Sequence, residues 1–586
     1  METYALLWAA TMNAGTVLAL ASLGLLINEK AGIVNLGAEG MMLCAAIAGF
    51  ATVATTGSDT LGFLAGMGAG ALMAALFGVL VIWMNTNQYA TGLALSLFGG
   101  GFSAFVGTGY VQAKLPERMR FEVPYLADIP VLGPALFKHH PLVYFAIALT
   151  LGLIYFFYKT RAGLVLRAVG ESPESAHALG YPVRRIRLLA VVVGGALCGL
   201  AGALNVHVTG FVEPGFFNFG LLAHMLATVV VGGMIYVGGA LLGTIVMSTL
   251  SQLVTVVGEY QGIVNGLIIM TVVAFAPYGL IGVVSDVIRR RHVFDGSSTP
   301  NESDASFLGA PAANDETSLK THDRKYRQSL SAHGGEPVIE LTNISMSFGG
   351  IHALQGVSLT CSSGELLGVI GPNGSGKTTL LNVISGAYDP TGGSGVLNGR
   401  PMKDLFGSPH RMARAGISRT FQTIRLVDDL SVRDNIAIGL HSMDEGVPVP
   451  AIPAMSRRDN EVERLLHEHG IAHLADVSAG ELSYGLRRRV EIARAVASSP
   501  KLLLLDEPTA GMDPQERADV FARIAALLFK GMGIIVVEHD VAMMSQYCDR
   551  LVVLDFGLVI ASGDPDGVLR EEAVISAYVG GQGVSQ

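Results

Sequence analysis

The first half of the chain consists of long apolar stretches separated by short polar segments. Residues 61–110 contain no Asp, Glu, Lys or Arg. Because a helix that crosses a membrane needs about 20 apolar residues, about nine stretches qualify as membrane spans. These stretches begin near Ala5, Ile33, Leu61, Gln88, Pro141, Leu188, Phe219, Val237 and Gly262. The pattern predicts an all-α polytopic membrane domain, with about 8–10 transmembrane helices, over residues 1–290.

Basic residues between the apolar stretches predict the orientation of this domain. Lys and Arg are enriched in short cytoplasmic loops. Residues 159–187 carry Lys159, Arg161, Arg167, Arg184, Arg185 and Arg187. We therefore place residues 159–187 in the cytoplasm, together with the arginines at 289–291, and the loop 111–140 outside.

A short helix is predicted within the basic segment. Ser172 is a suitable N-cap, Pro173 follows at the first helical position, and Gly180 and Pro182 can end the helix. On its own, this pattern fits either a solvated surface loop or a lever that a second domain pushes.

The character of the sequence changes after residue 290. Residues 291–337 are rich in Ser, Asn, Asp, Gly and Ala, which predicts a flexible linker. Residues 338–586 have mixed charges and strand-like apolar runs, which predict an α/β domain. The net charge is -9, and the chain has no polybasic patch. We therefore expect no nucleic acid partner.

A phosphate-binding loop follows the buried strand predicted at 364–370. The sequence GPNGSGKTT at 371–379 contains a full G-x-x-x-x-G-K-[ST] pattern between that strand and a helix. Glycines let backbone N–H groups surround phosphate oxygens, the lysine reaches the β- and γ-phosphates, and the hydroxyl binds Mg²⁺. The pattern predicts ATP and Mg²⁺ as ligands. Thr378 is also predicted to bind Mg²⁺. The residues predicted to bind ATP are Gly371, Asn373, Gly374, Ser375, Gly376, Lys377, Thr378 and Thr379.

Three further side-chain groups suit hydrolysis of a phosphate bond. The apolar run KLLLLDEP ends in two carboxylates, of which Asp506 suits Mg²⁺ and Glu507 suits general-base or water-positioning work. His539 follows the strand GIIVVE, where it could hold the γ-phosphate and the attacking water. Gln422 could join both the metal and the nucleophile shell.

These motifs resemble those of the ATP-binding-cassette (ABC) ATPases over about residues 338–580. By that resemblance, Phe348 stacks on adenine, residues 511–513 form the D-loop, and Ser483 and Gly485 of the signature motif contact the nucleotide of a second subunit. The signature departs from the family pattern at Leu486, where glutamine is usual. We expect this departure to affect helix packing more than ATP use.

The two halves resemble different branches of one importer class. RTFQTIRL and ELSYGLRRRVEIARA are similar to segments of branched-chain amino acid importer ATPases. EKAGIVNLGAEGMML at 29–43 and residues 167–203 are similar to nucleoside and simple-sugar permeases. The resemblance implies a fused permease and ATPase that moves a nucleoside-like solute or a branched-chain amino acid across the bacterial inner membrane. It also implies that residues 167–187 are the lever and dock beside Gln422.

The same resemblance implies the partners. They are membrane lipid, a second permease–ATPase half formed by the same chain or a homologue, and an external solute-binding protein, with the ATPase domain in the cytoplasm. An ATP-driven exporter and an ATP-regulated scaffold that transports nothing stay open as alternatives. The short cytoplasmic loops argue against the exporter and Glu507 argues against the scaffold. No side chain of the membrane half is singled out as a substrate ligand.

Overall fold

The chain forms two compact units. The computed structural model describes residues 2–110, 121–122, 138–209, 219–233, 237–254, 261–276, 279–282, 335–440 and 455–580. The first unit comprises Met1–Glu171 and Val183–Thr299, and the second comprises Ser172–Pro182 and Pro300–Gln586. A short piece of the first half of the sequence therefore belongs to the second unit. The domain boundaries at 290/291 and 337/338 stay predictions, because most of the linker lies outside the described residues.

The described part of the first unit is almost entirely helical. In chain order, the helices of the first half are α1 Glu2–Lys30, α2 Ala38–Thr56, α3 Asp59–Gly78, α4 Gln88–Gly107, α5 Pro141–Lys159, α6 Arg161–Glu171, α7 Pro173–Ala178, α8 Val183–Thr209, α9 Phe219–Gly232, α10 Val237–Val254 and α11 Gln261–Phe275. Of these, α7 lies in the second unit. A π-helical turn, Val79–Trp83, extends α3, and a short antiparallel pair joins β1 Phe121–Glu122 to β2 Lys138–His139.

The helices of the first unit occur where the apolar pattern predicts them. Nine of them begin within five residues of the predicted starts. By length and composition, five helices among the described residues could cross a membrane, at 38–56, 59–83, 88–110, 141–159 and 183–207. An apolar, all-α N-terminal domain is therefore confirmed.

Small residues allow close packing of these helices. A Cβ added to Gly99 of α4 would lie 2.4 Å from the carbonyl oxygen of Gly40 on α2. A Cβ on Gly202 of α8 would lie 2.2 Å from the carbonyl oxygen of Met42. Any larger side chain at these positions would force the two helix backbones apart. In lipid, where no hydrophobic effect drives helices together, such close backbone contact stabilises helix pairs.

The second unit is built on two sheets. Its strands are β3 Pro337–Phe348, β4 Ile351–Ser362, β5 Leu366–Ile370, β6 Gly392–Leu397, β7 Arg400–Pro401, β8 Ile417–Arg419, β9 Leu502–Asp506, β10 Gly533–Val537, β11 Arg550–Asp555 and β12 Leu558–Gly563. One sheet has the order β12-β11-β5-β10-β9-β8, and the other has the order β4-β3-β6-β7. In the first sheet only the β11–β12 pair is antiparallel. The strands β5, β9 and β10 are buried throughout, which explains their continuous apolar sequences.

Helices cover the parallel strands and complete the α/β fold. In chain order they are α12 Lys377–Ile384, α13 Pro409–Arg414, α14 Val432–Leu440, α15 Met455–Glu468, α16 Tyr484–Ala497, α17 Pro514–Leu528, α18 Val541–Tyr547, α19 Pro565–Val568 and α20 Glu572–Gly580. Two apolar cores share the parallel sheet. One packs it against α16 and α17, and the other packs it against the antiparallel sheet and α12.

Candidate functional site

Four neighbouring parallel strands place most of the predicted site residues at one edge of the sheet. In the order β5-β10-β9-β8, these strands are followed by the phosphate-binding loop, by His539, by Glu507 directly after Asp506, and by Gln422. Since the carboxyl ends of parallel strands meet at one edge, residues far apart in sequence converge there. This edge is the usual ligand-binding position in open α/β sheets.

Lys377 organises the phosphate-binding loop from within. Its Nζ atom donates to the carbonyl oxygens of Gly371 and Pro372, each at 2.8 Å. Gly376 has φ +102°, and a Cβ there would lie 2.5 Å from the carbonyl oxygen of Ala353. This tight position explains why the loop needs glycine. Burial lowers the pKa of Lys377, and the nearby carboxylates of the site oppose that shift.

The outer part of the loop is open to solvent. Lys377, Thr378 and Thr379 form the first turn of α12, so the N-terminal end of this helix faces the loop. Asn373, Gly374 and Thr378 are exposed, whereas Ser375 is buried. An anion bound here would meet backbone N–H groups and the positive end of the helix dipole.

Glu507 is the centre of a three-residue network. Its Oε2 atom accepts a hydrogen bond from Gln422 Nε2 at 3.1 Å, and its Oε1 atom lies 2.8 Å from His539 Nε2. Its backbone has φ +46°, in the left-handed region that a residue with a side chain rarely adopts. Strained backbone of this kind persists only where surrounding contacts fix it. Glu507 therefore contacts both of the other proposed catalytic side chains, Gln422 and His539.

Asp506 forms a buried ion pair that the sequence does not reveal. Arg419, at the end of β8, donates from Nη2 to Asp506 Oδ2 at 2.9 Å, and both side chains are buried. Arg419 Nη1 also donates to Ser385 Oγ at 3.1 Å. Burial lowers the pKa of Arg419, and the charge of Asp506 opposes that shift. Asp506 thus has a fixed orientation at the end of its strand.

Glu538 links the turns that carry two of the predicted site residues, Glu507 and His539, and the sequence analysis did not identify it. Its Oε1 atom accepts from the backbone N–H and hydroxyl of Thr509 at 2.8 and 2.7 Å. Its Oε2 atom accepts from the backbone N–H of His539 at 3.2 Å. This buried carboxylate ties the turn after β9 to the turn after β10.

Comparisons with known proteins agree with both halves of the chain. Residues 7–273 match the family model described as branched-chain amino acid transport system / permease component, and residues 354–510 match the ABC transporter model. The chain is 36% identical over 252 residues to the high-affinity branched-chain amino acid transport ATP-binding protein BraF of Pseudomonas aeruginosa, covering 98% of that protein and 42% of this chain.

The chain belongs to the ABC transporter family.

Two further relatives show how differently the halves are used elsewhere. Over 198 residues the chain is 42% identical to the putative glucose ABC transporter permease protein TsgC13 of Haloferax volcanii, covering 60% of that protein and 33% of this chain. Over 238 residues it is 35% identical to the lipopolysaccharide export system ATP-binding protein LptB of Escherichia coli, covering 95% of that protein and 41% of this chain. ATPases similar to this one are thus named for different transport systems, one of them an export system, so the ATPase half does not fix the direction of transport.

The ABC signature motif begins helix α16. Ser483 is the N-cap residue, is exposed, and makes no side-chain hydrogen bond to its own helix. Gly485 lies in the first turn, where an added Cβ would lie 3.1 Å from Glu516 Oε1. Leu486, in place of the usual glutamine, packs against the helix-side apolar core. The departure from the family pattern therefore coincides with an apolar contact.

The remaining ABC elements occupy separate parts of the unit. Phe348, at the end of β3, is 41% exposed, and its ring lies 5.2 Å from that of Tyr388 at 73°. Asp513, the last residue of the predicted D-loop, caps α17 by accepting from the backbone N–H groups of Gln515 and Glu516.

Residues 172–182 of the permease sequence contact the ATPase within the second unit. Ser175 Oγ donates to the carbonyl oxygen of Arg425 at 2.8 Å, and Tyr181 Oη donates to that of Ile438 at 3.0 Å. Glu174 forms an ion pair with Arg425, whose guanidinium also lies over the Phe421 ring, 4.9 Å from its centroid. The segment therefore binds the loop that contains Gln422.

Proposed function

We propose that this ABC transporter chain is an importer subunit in which ATP hydrolysis by the C-terminal half drives uptake through the N-terminal half. One observation carries the proposal. The network of Gln422, Glu507 and His539 lies in the same compact unit as residues 172–182, a piece of the permease sequence. A permease segment bound beside Gln422 is suited to respond to changes at the hydrolytic site.

The roles of the nucleotide-site residues follow from their chemistry. Backbone N–H groups of residues 373–379 and the ammonium group of Lys377 bind the phosphates of ATP. Thr378, Gln422 and Asp506 offer a hydroxyl, an amide oxygen and a carboxylate, the oxygen donors that Mg²⁺ prefers. Bound Mg²⁺ would neutralise charge on the phosphates. The second carboxylate oxygen of Asp506 is not engaged by Arg419, so the donor set fits the ion.

Glu507 acts on the attacking water in this proposal, and His539 supports it. The carboxylate orients the water and accepts its proton, and His539 and Gln422 hold the carboxylate in place. Phe348 stacks on adenine, since its ring is partly exposed. Ser483 and Gly485 are assigned to a nucleotide bound to a second ATPase half, because the Ser483 side chain is exposed and makes no capping hydrogen bond to its own helix.

The substrate is proposed from the permease half, where solute selection resides. The relative named as a putative glucose permease matches the permease half at 42% identity. We therefore favour a polar, hydroxyl-bearing solute such as a sugar or nucleoside over a branched-chain amino acid. An external solute-binding protein delivers this solute. The chain resides in the bacterial inner membrane.

Direction of transport is tested in proteoliposomes with ATP enclosed. Only molecules whose ATPase faces the lumen are then active. Labelled glucose, adenosine or leucine is supplied outside, or preloaded inside, with the cognate binding protein outside. We expect ATP-dependent accumulation of glucose or adenosine in the lumen. Release of preloaded solute would favour the exporter, and phosphate release without any flux would favour the scaffold.

Membrane topology gives an independent prediction. Thr56 lies at the exposed end of α2, whereas Arg184 lies at the exposed start of α8. In a cysteine-free background, Thr56→Cys should react with an impermeant thiol reagent in intact cells, and Arg184→Cys should react only after lysis, because basic loops stay in the cytoplasm. Labelling of Arg184→Cys in intact cells would reverse the orientation and place the ATPase outside.

A further inference from the structure

A buried ion pair in α16 is not used by any of the roles proposed above. Arg488 and Glu491 lie one turn apart, and their side chains are 0% and 1% exposed. Arg488 Nη1 donates to Glu491 Oε2 at 2.6 Å. Replacing a buried ion pair by apolar side chains of similar size is often neutral or even stabilising. Stability alone is therefore a weak explanation for this pair.

The Arg488 guanidinium binds the main chain of the hydrolytic site. Its Nη1 atom also donates to the carbonyl oxygen of Phe421 at 2.7 Å. Its Nη2 atom donates to the carbonyl oxygens of Gln422 and Glu507, each at 3.1 Å. One planar group thus connects the loop after β8 to the turn after β9. Lysine could not reproduce this fork of donors.

This contact bears directly on the strained conformation of Glu507. Its backbone N–H donates to the carbonyl oxygen of Val537 at 2.9 Å, and its own carbonyl oxygen accepts from Arg488. The two hydrogen bonds fix both sides of a residue with φ +46°. Without the second bond, the backbone can relax and the carboxylate leaves Gln422 and His539.

The other end of the ion pair leads to residues 172–182. Glu491 Oε1 accepts from the backbone N–H of Arg425 at 3.3 Å. The carbonyl oxygen of Arg425 accepts from Ser175 Oγ and from Arg494 Nη2, each at 2.8 Å. Residues 172–182 therefore bind the backbone carbonyl oxygen of Arg425, and the buried ion pair binds the backbone N–H of the same residue.

We propose that Arg488 is a positioning residue for ATP hydrolysis, and that the Arg488–Glu491 pair transmits docking of residues 172–182 at Arg425 to the backbone of Glu507. The inference rests on the proposed function, because it assumes that Glu507 acts in hydrolysis. Spatial continuity alone does not establish coupling between two sites, so the test measures the coupling itself.

The test is a double-mutant cycle on ATPase activity of the purified full-length chain. Glu491→Gln should lower kcat about fivefold, with KM for ATP changed less than about twofold, since the phosphate-binding loop is untouched. Ser175→Ala should lower kcat about threefold in the wild-type background. In the Glu491→Gln background it should have no further effect, because coupled residues are non-additive.

A matched control uses the partly exposed ion pair between Arg433 and Glu463. Glu463→Gln should leave kcat unchanged and leave the threefold effect of Ser175→Ala intact. Should Glu491→Gln fail to fold, the Arg488→Met/Glu491→Met variant removes both charges, and the same cycle applies to it.

Each outcome of the cycle decides one point. If the effects of Ser175→Ala and of the ion-pair variant on kcat multiply in the double variant, the two sites are independent. The proposed transmission through the Arg488–Glu491 pair is then wrong, even when wild-type turnover is normal. If the ion-pair variants lose thermal stability but keep kcat, Arg488 only supports the fold and the proposal is overturned. If Glu507→Gln hydrolyses ATP at the wild-type rate in the same assay, the proposed function fails and takes this inference with it.

Discussion

The Glu507→Gln variant should release phosphate about 100-fold more slowly than wild type, or slower still, which is the scale of a missing general base. The carboxylate lies within hydrogen-bonding distance of both Gln422 Nε2 and His539 Nε2. A glutamine amide has nearly the same size but cannot accept a proton from water. ATP affinity should stay close to wild type, because Lys377 and the phosphate-binding loop are unchanged.

Steady-state phosphate release and ATP binding on the purified chain measure these two effects separately. Glu463→Gln removes a similar carboxylate from a partly exposed ion pair elsewhere in the ATPase and should have normal turnover. Turnover of Glu507→Gln within a few-fold of this control would remove Glu507 from its proposed role.

Local sequence patterns predict much of the ATPase fold. Strands β5, β9 and β10 are short apolar runs of five residues, and each is followed by polar residues with an evident chemical use. The order of parallel strands then brings Gln422, Glu507 and His539 together. The membrane helices were equally predictable, although α8 begins at Val183, before the apolar run near Leu188. The apolar criterion detects only the part suited to lipid and misses the basic first turns.

Side-chain pairing inside the ATPase was not predictable in the same way. Arg487, Arg488 and Arg489 are consecutive in sequence, but Arg487 pairs with Asp428 and Arg489 pairs with Asp519, both partly exposed. Only Arg488 faces the interior, toward Glu491. Residues three or four positions apart are neighbours on a helix, so Glu491 could pair with either Arg487 or Arg488. Tertiary packing decides which arginine pairs with it. Arg419 and Glu538 were missed for a similar reason, because Asp506 lies on another strand and Thr509 lies in the turn after another strand.

The second large effect is expected at the permease segment. Glu174→Arg should reduce coupled uptake while leaving ATP binding intact. The ion pair between Glu174 and Arg425 would become a repulsive contact. In water, each unit-charge interaction at about 4 Å amounts to about 1 kcal/mol, so reversal of the sign changes docking by about 2 kcal/mol, or about 30-fold. The exposed position of Glu174 argues against a larger value.

Two controls separate repulsion from other effects. Glu174→Gln removes the attraction without adding a like charge, and it should reduce uptake only slightly, since exposed ion pairs contribute little. Deletion of about ten residues near Ser303, outside the described part of the chain, should also have a small effect. The flexible linker that the sequence predicts there would set the local concentration of the ATPase without setting its geometry.

The central claim is that the 172–182 segment couples hydrolysis to transport, and its most direct test is the amount of solute moved per phosphate released in the same proteoliposomes. For wild type, Glu174→Gln and the linker deletion, this ratio should be similar. For Glu174→Arg it should fall about tenfold or more, with phosphate release continuing at a reduced rate. An unchanged ratio for Glu174→Arg, together with loss of uptake in the linker deletion, would mean that force passes through the linker and would contradict the account.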